Sequence, residues 1–138
     1  MKTIFSLMLA AFLFVGFTSE KTNQVTVKGK LIDTKCYGMM HDNHTNDHMV
    51  KKGDKMMKMP SCATACAGMG IPVGVLEDSK PGNDVHVVIA PAGTFAEHMD
   101  KEVRITGEAP YAGSIMPGKV EVKNDKGKWV EVEVAGMM

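Results

Sequence analysis

All three cysteines (Cys36, Cys62, Cys66), three of the five histidines (His41, His44, His48) and seven of the thirteen methionines (Met39, Met40, Met49, Met56, Met57, Met59, Met69) fall between Cys36 and Met69. Thiolate and thioether sulfur with imidazole nitrogen is a donor set suited to Cu(I), with zinc the next candidate. Cys62 and Cys66 are spaced i, i+4, so a short helix over Cys62 to Ala67 would put both on one face. Ser61 is a fitting cap for that helix, and Gly68 and Gly70 would stop it. Cys36 must come from elsewhere, at the end of an apolar alternating run. The expected metal set is therefore Cys36, Cys62 and Cys66 as principal ligands. His41, His44, His48 and Met69 would complete the site or pass metal to it.

Other uses of the same residues compete with this one. Three thiolates and one His would also satisfy tetrahedral zinc. Cys36 could form a disulfide with one helix cysteine and leave the third free. A redox pair is less well served, because the spacing is C-x3-C rather than C-x2-C. His41, His44 and His48, at i, i+3 and i+7, would share a helix face, yet Asp42, Asn43, Thr45, Asn46 and Asp47 between them are poor helix formers. The bland alternative for these histidines is a solvated polar tract. His86 and His98 are isolated and read as structural. Methionine commonly fills cores, which suits Met99 and Met116. Met56, Met57 and Met59 are instead interleaved with Lys51, Lys52, Lys55 and Lys58 and have no apolar stripe to join, so they read as weaker capture ligands.

The elements that must position these donors are strands. Val25, Val27 and Leu31 alternate with Thr26, Lys28 and Lys30, the period of a half-buried strand. Further strands are expected at residues 73–76, 85–90, 102–108, 120–123 and 128–134, with a hairpin turn at Asn124-Asp125-Lys126-Gly127 and a short helix from Thr94 to Met99. Residues 39–60 read as a long loop without structure of its own, which a bound metal would order. The element order gives a mainly β fold: a small Greek-key, OB-like barrel of five to six strands with one or two short helices. A β-sandwich is the second choice.

The chain has 138 residues, one domain's worth. Lys2 followed by an apolar run from Ile4 to Phe17 has the layout of a secretory signal peptide, so residues 1–19 are expected to be removed and residues 20–138 to form one barrel domain with its insertion at 36–69. Fourteen apolar residues fall short of the roughly 20 that span a bilayer. The remaining domain carries 15 basic and 16 acidic residues. A near-neutral domain with few aromatics and no basic stripe is poorly suited to nucleic acid or to an anionic membrane surface. Export, to the periplasm or beyond, implies an oxidising compartment, where an odd cysteine count is unusual.

The run Gly29-Lys30-Leu31-Ile32-Asp33-Thr34-Lys35-Cys36-Tyr37, followed by Cys62-Ala63-Thr64-Ala65-Cys66-Ala67-Gly68-Met69-Gly70-Ile71-Pro72-Val73-Gly74-Val75-Leu76, resembles a group of small exported bacterial domains. The resemblance spans most of residues 25–134 and implies an OB-type barrel with one cysteine after the first strand and a C-x3-C helix before a Gly-Ile-Pro strand entry. It implies fold more than function. The segment at 39–59 looks like an insertion into that pattern. Cys-x3-Cys followed by Met also resembles part of the dinuclear copper loop of oxidase-type domains, although no His closely follows Cys66. The expectation is an exported copper-binding protein for buffering, delivery or resistance, exchanging metal with a copper-donating or copper-accepting protein. The alternatives are a disulfide-stapled interaction module and a copper electron-transfer protein. No hydrolytic constellation stands out around Ser61 or Ser114, so an enzyme is not expected.

Overall fold

The alternation from Val25 becomes strand β1 (Gln24–Asp33), with Val27 and Leu31 buried and Thr26, Lys28 and Lys30 on the other side. The computed structural model describes residues 23–134. The expected signal segment at 1–19 lies outside the described residues. After β1 come helix α1 (Thr34–Met39), strands β2 (His48–Lys52) and β3 (Lys55–Met59), helix α2 (Cys62–Gly68), and strands β4 (Val73–Glu77) and β5 (Val85–Val88). A 3-10 helix (Ala92–His98) follows, then β6 (Glu102–Glu108), β7 (Ser114–Lys123) and β8 (Trp129–Val132). Among the described residues no helix is long and apolar enough to cross a membrane.

Strand β1 pairs antiparallel with β4 through its C-terminal half and with β6 through its N-terminal half. Strand β5 pairs with β4 and, in parallel, with β7, while β6 pairs with β7. The order β1-β4-β5-β7-β6 therefore returns to β1 and closes a ring, with β8 added beside β7. This is the Greek-key, OB-like barrel expected from the element order. Its interior holds Leu31, Val75, Val103, Ile105, Ile115 and Val120, and the 3-10 helix plugs one end with Phe95. Met99 joins this core, but Met116 is exposed.

The insertion does not fit the expectation of a structureless loop. Residues 48–59 form a separate two-stranded hairpin, β2 with β3, joined by Gly53-Asp54, with Gly53 at φ 63°. That pair is a two-residue hairpin connection; the surrounding Lys and Met, weak strand formers, hide it. Among the described residues three short helices form, where one or two are expected. The 3-10 helix starts at Ala92, two residues before Thr94, whose hydroxyl bonds back to the Pro91 carbonyl instead of capping.

Gly29 lies where β1 passes from β6 to β4, and a Cβ there would sit 1.9 Å from the Leu76 carbonyl oxygen. Neither neighbouring backbone can yield without opening the ring. Gly29→Ala should cost about 3 kcal/mol or more, read as a lower urea midpoint. Gly38→Ala, in α1 with nothing within 4 Å, is the control and should be neutral or stabilising.

Candidate metal centre

The end of β1 and the start of α1 set the first donor. Asp33 is the α1 cap: one carboxylate oxygen, Oδ1, accepts from the backbone N–H groups of Lys35 (2.8 Å) and Cys36 (3.2 Å). This fixes Cys36 on the first turn, buried against the barrel end. Helix α2 brings Cys62 and Cys66, one turn apart, while Ala63 and Ala67 pack into the barrel core. The three cysteines are buried free thiols, and their Sγ atoms all lie within 4.8 Å of one another. A metal bound to sulfur at about 2.3 Å sets sulfur–sulfur separations of roughly 3.8 Å in tetrahedral and 4.0 Å in trigonal geometry. The cluster thus needs to contract by less than about 1 Å to close on an ion.

A second group shares Cys36. Asp33, Cys36 and His48 place one ligand atom each within 4.8 Å of the others. His48 is the first residue of β2 and is fully buried. Its Nε2 lies 2.9 Å from the Thr45 carbonyl oxygen, which can only accept, so Nε2 carries a proton and the ring turns Nδ1 inward. There Nδ1 meets Asp33 Oδ2 at 4.0 Å. Both atoms are buried and without a hydrogen-bond partner. This buried Asp–His contact beside a thiol is too long for a hydrogen bond, and a cation between the two atoms would give each a partner. A carbonyl-anchored Nε2–H is also the usual outer support of a metal-bound histidine.

The electrostatics follow from burial. Loss of solvent pushes the Cys36 thiol up to about 11, with hydrogen bonding and charge repulsion from Asp33 acting in the same direction. The Cys66 thiol is pushed up for the same reasons, burial first and Asp33 next. Without metal, these two thiols therefore keep their protons at neutral pH. A cation is what would release them.

The loop and the cysteine helix are tied together. Ser61 stands at the α2 N-terminus in the left-handed conformation (φ 52°) and makes no side-chain cap, contrary to the sequence expectation. The caps come from the loop instead. The Asn46 carbonyl accepts from Ala63 N–H, Asn46 Oδ1 accepts from Thr64 N–H and Oγ1–H, and Asp47 Oδ1 accepts from Ser61 N–H. Asn46→Ala leaves the first turn of α2 short of acceptors and should cost about 1–2 kcal/mol in chemical denaturation, with faster hydrogen exchange at Thr64.

The structure brings together Cys36, Cys62 and Cys66, and sets His48 beside Cys36 in the second group. It does not bring in the others. His41 is exposed and stacks on Tyr37 at 4.7 Å, and His44 turns its Nδ1 to the His41 carbonyl. Met69 is 75% exposed at the end of α2. The helical face proposed for the three histidines does not form, because the Asp- and Asn-rich residues between them make turns. His86 pairs with Glu77, away from the cluster. Asp33 is the residue that sequence reasoning passed over; its signal was an acid three residues before Cys36, which also reads as an ordinary helix cap. No family model, curated protein or solved structure matches the chain.

Proposed function

We propose that the protein is an exported soft-metal carrier that holds Cu(I) at Cys36, Cys62 and Cys66, for buffering, delivery to a partner or resistance. The observation that carries this reading is the convergence of three free, buried sulfurs from two separate helices to within 4.8 Å of one another. Three soft donors in an apolar setting favour a soft cation. Exposed thioethers around the site, at Met39, Met49 and Met56, add donors that Cu(I) accepts and zinc does not favour. Export rests on the apolar run from Ile4 to Phe17.

Zinc is the second reading, and His48 favours it. Its Nδ1, without a hydrogen-bond partner, would be the nitrogen donor of a Cys3His set if the ring moved toward Cys62 and Cys66. Charge also leans that way: three thiolates carry a net −2 with Cu(I) and −1 with Zn(II), and Asp33 lies beside them. Competition decides between the two. The purified chain is titrated anaerobically with Cu(I) against a Cu(I) chelator, and separately with Zn(II) against a zinc chelator. Cu(I) displacing bound Zn(II) stoichiometrically is the expected result. Zn(II) retained against equimolar Cu(I) would replace copper with zinc, and no uptake of either would end the carrier reading.

A further inference from the structure

A groove in the insertion is lined with methionine. A cavity of about 400 Å³ opens between the end of α1 and the β2–β3 hairpin, with Met39, Met40, Met49 and Met56 on its walls. The hairpin register sorts the methionines that the sequence left as one run. Lys51 is paired with Met56 and Met49 with Lys58, so Met49 and Met56 are diagonal neighbours on one face, roughly 7 Å apart at their backbones and within reach of each other's long side chains. Met57 and Met59 alternate to the opposite face, which also carries His48.

The backbone of this groove is pinned. Asn43 is buried and bridges the two elements: its N–H donates to the Met40 carbonyl, its side-chain amide donates to the Met49 carbonyl, and its Oδ1 accepts from Met49 N–H. Met40 N–H donates in turn to the Cys36 carbonyl, and Met49 directly follows His48. Four flexible thioethers thus hang from a fixed frame that runs on along the chain to Cys36 and His48.

We propose that this groove is a second, weaker Cu(I) site made of the thioethers of Met39, Met40, Met49 and Met56, from which the ion passes to the cysteines. The proposal rests on the Cu(I) reading of the thiol centre for the passage step, but not for the site itself. Thioethers are neutral, so a bound monovalent soft ion leaves the site with a single positive charge, half that of a divalent ion. Lys51 on the same face repels a divalent ion twice as strongly as a monovalent one. Transfer is ligand exchange: copper stays Cu(I), copper–thioether bonds break, copper–thiolate bonds form, and each thiol proton leaves to solvent. The order runs from neutral to anionic sulfur, so it is downhill.

The test uses Ag(I) as a redox-inert monovalent probe and methyl-labelled methionine, read by NMR. In a Cys36/Cys62/Cys66→Ser chain, one equivalent of Ag(I) should shift the methyls of Met39, Met40, Met49 and Met56 and leave Met57, Met59 and Met69 in place. With the cysteines intact, a Met39/Met49/Met56→Leu chain, which preserves side-chain volume, should bind one Ag(I) where the parent binds two. Equal shifts at all exposed methionines, no shifts, or an unchanged stoichiometry in the leucine chain would each overturn the second site. Groove shifts in a protein whose cysteines take up no metal would sink the carrier reading and leave this site standing.

Discussion

A Cys36/Cys62/Cys66→Ser chain should lose tight Cu(I) binding almost entirely. Thiolate sites hold their ions with on the order of 10 kcal/mol, which is about seven decades in the dissociation constant. Serine keeps the shape but offers a hard hydroxyl that stays protonated, so little of that energy survives. Among single replacements Cys36→Ser should be the most damaging, because Cys36 belongs to both the three-thiol group and the group with Asp33 and His48. Chelator competition measures this directly, and circular dichroism checks that the barrel persists. A triple variant that binds within tenfold of the parent would remove the thiols from the function.

Metal uptake and metal-free stability should depend on pH in opposite ways. Each thiol that binds an ion gives up its proton, so three such donors make the apparent affinity rise by up to about three decades per pH unit at neutral pH. The metal-free fold behaves differently. Cys36 titrates near 9.0 when unfolded and at about 11 when folded, so the folded state binds the proton more tightly. That stabilisation is complete below pH 9 and is lost as pH rises through 11. Two units correspond to roughly 2–3 kcal/mol from Cys36 alone, and Cys66 acts in the same direction. Urea titrations at pH 8 and pH 11 should show the midpoint of the metal-free chain falling, while that of the loaded chain rises, because unfolding at pH 8 is helped by reprotonation of the released thiolates and loses that help at pH 11. An unchanged metal-free midpoint would mean that the thiols are not held in a buried, acid-flanked cluster.

The barrel was legible because its strands alternate cleanly: Val103 and Ile105 in β6, and Val120 and Val122 in β7, are buried where the period of two puts them. The hairpin was not, because Lys and Met give no apolar period and the segment packs almost nothing into the core; every residue from Lys51 to Ser61 is exposed. The thiols were legible from residue type alone. Which histidine would join them was not. His41, His44 and His48 differ only in the turns between them, and it is the pairing of His48 with Met59 at the base of the hairpin that carries its ring inward. Asp33 was hidden by doing two jobs with one carboxylate, capping α1 through one oxygen and facing the cluster with the other.

The bond from Ser61 N–H to Asp47 closes the foot of the hairpin at the two points where it leaves the barrel. The exposed turn at residues 52–55 lies beyond both that clasp and His48, outside the two buried donor groups. The tip at Gly53-Asp54 is therefore a place where the chain can be lengthened, shortened or fused to a reporter without detuning the centre, a natural handle for evolution and for engineering alike.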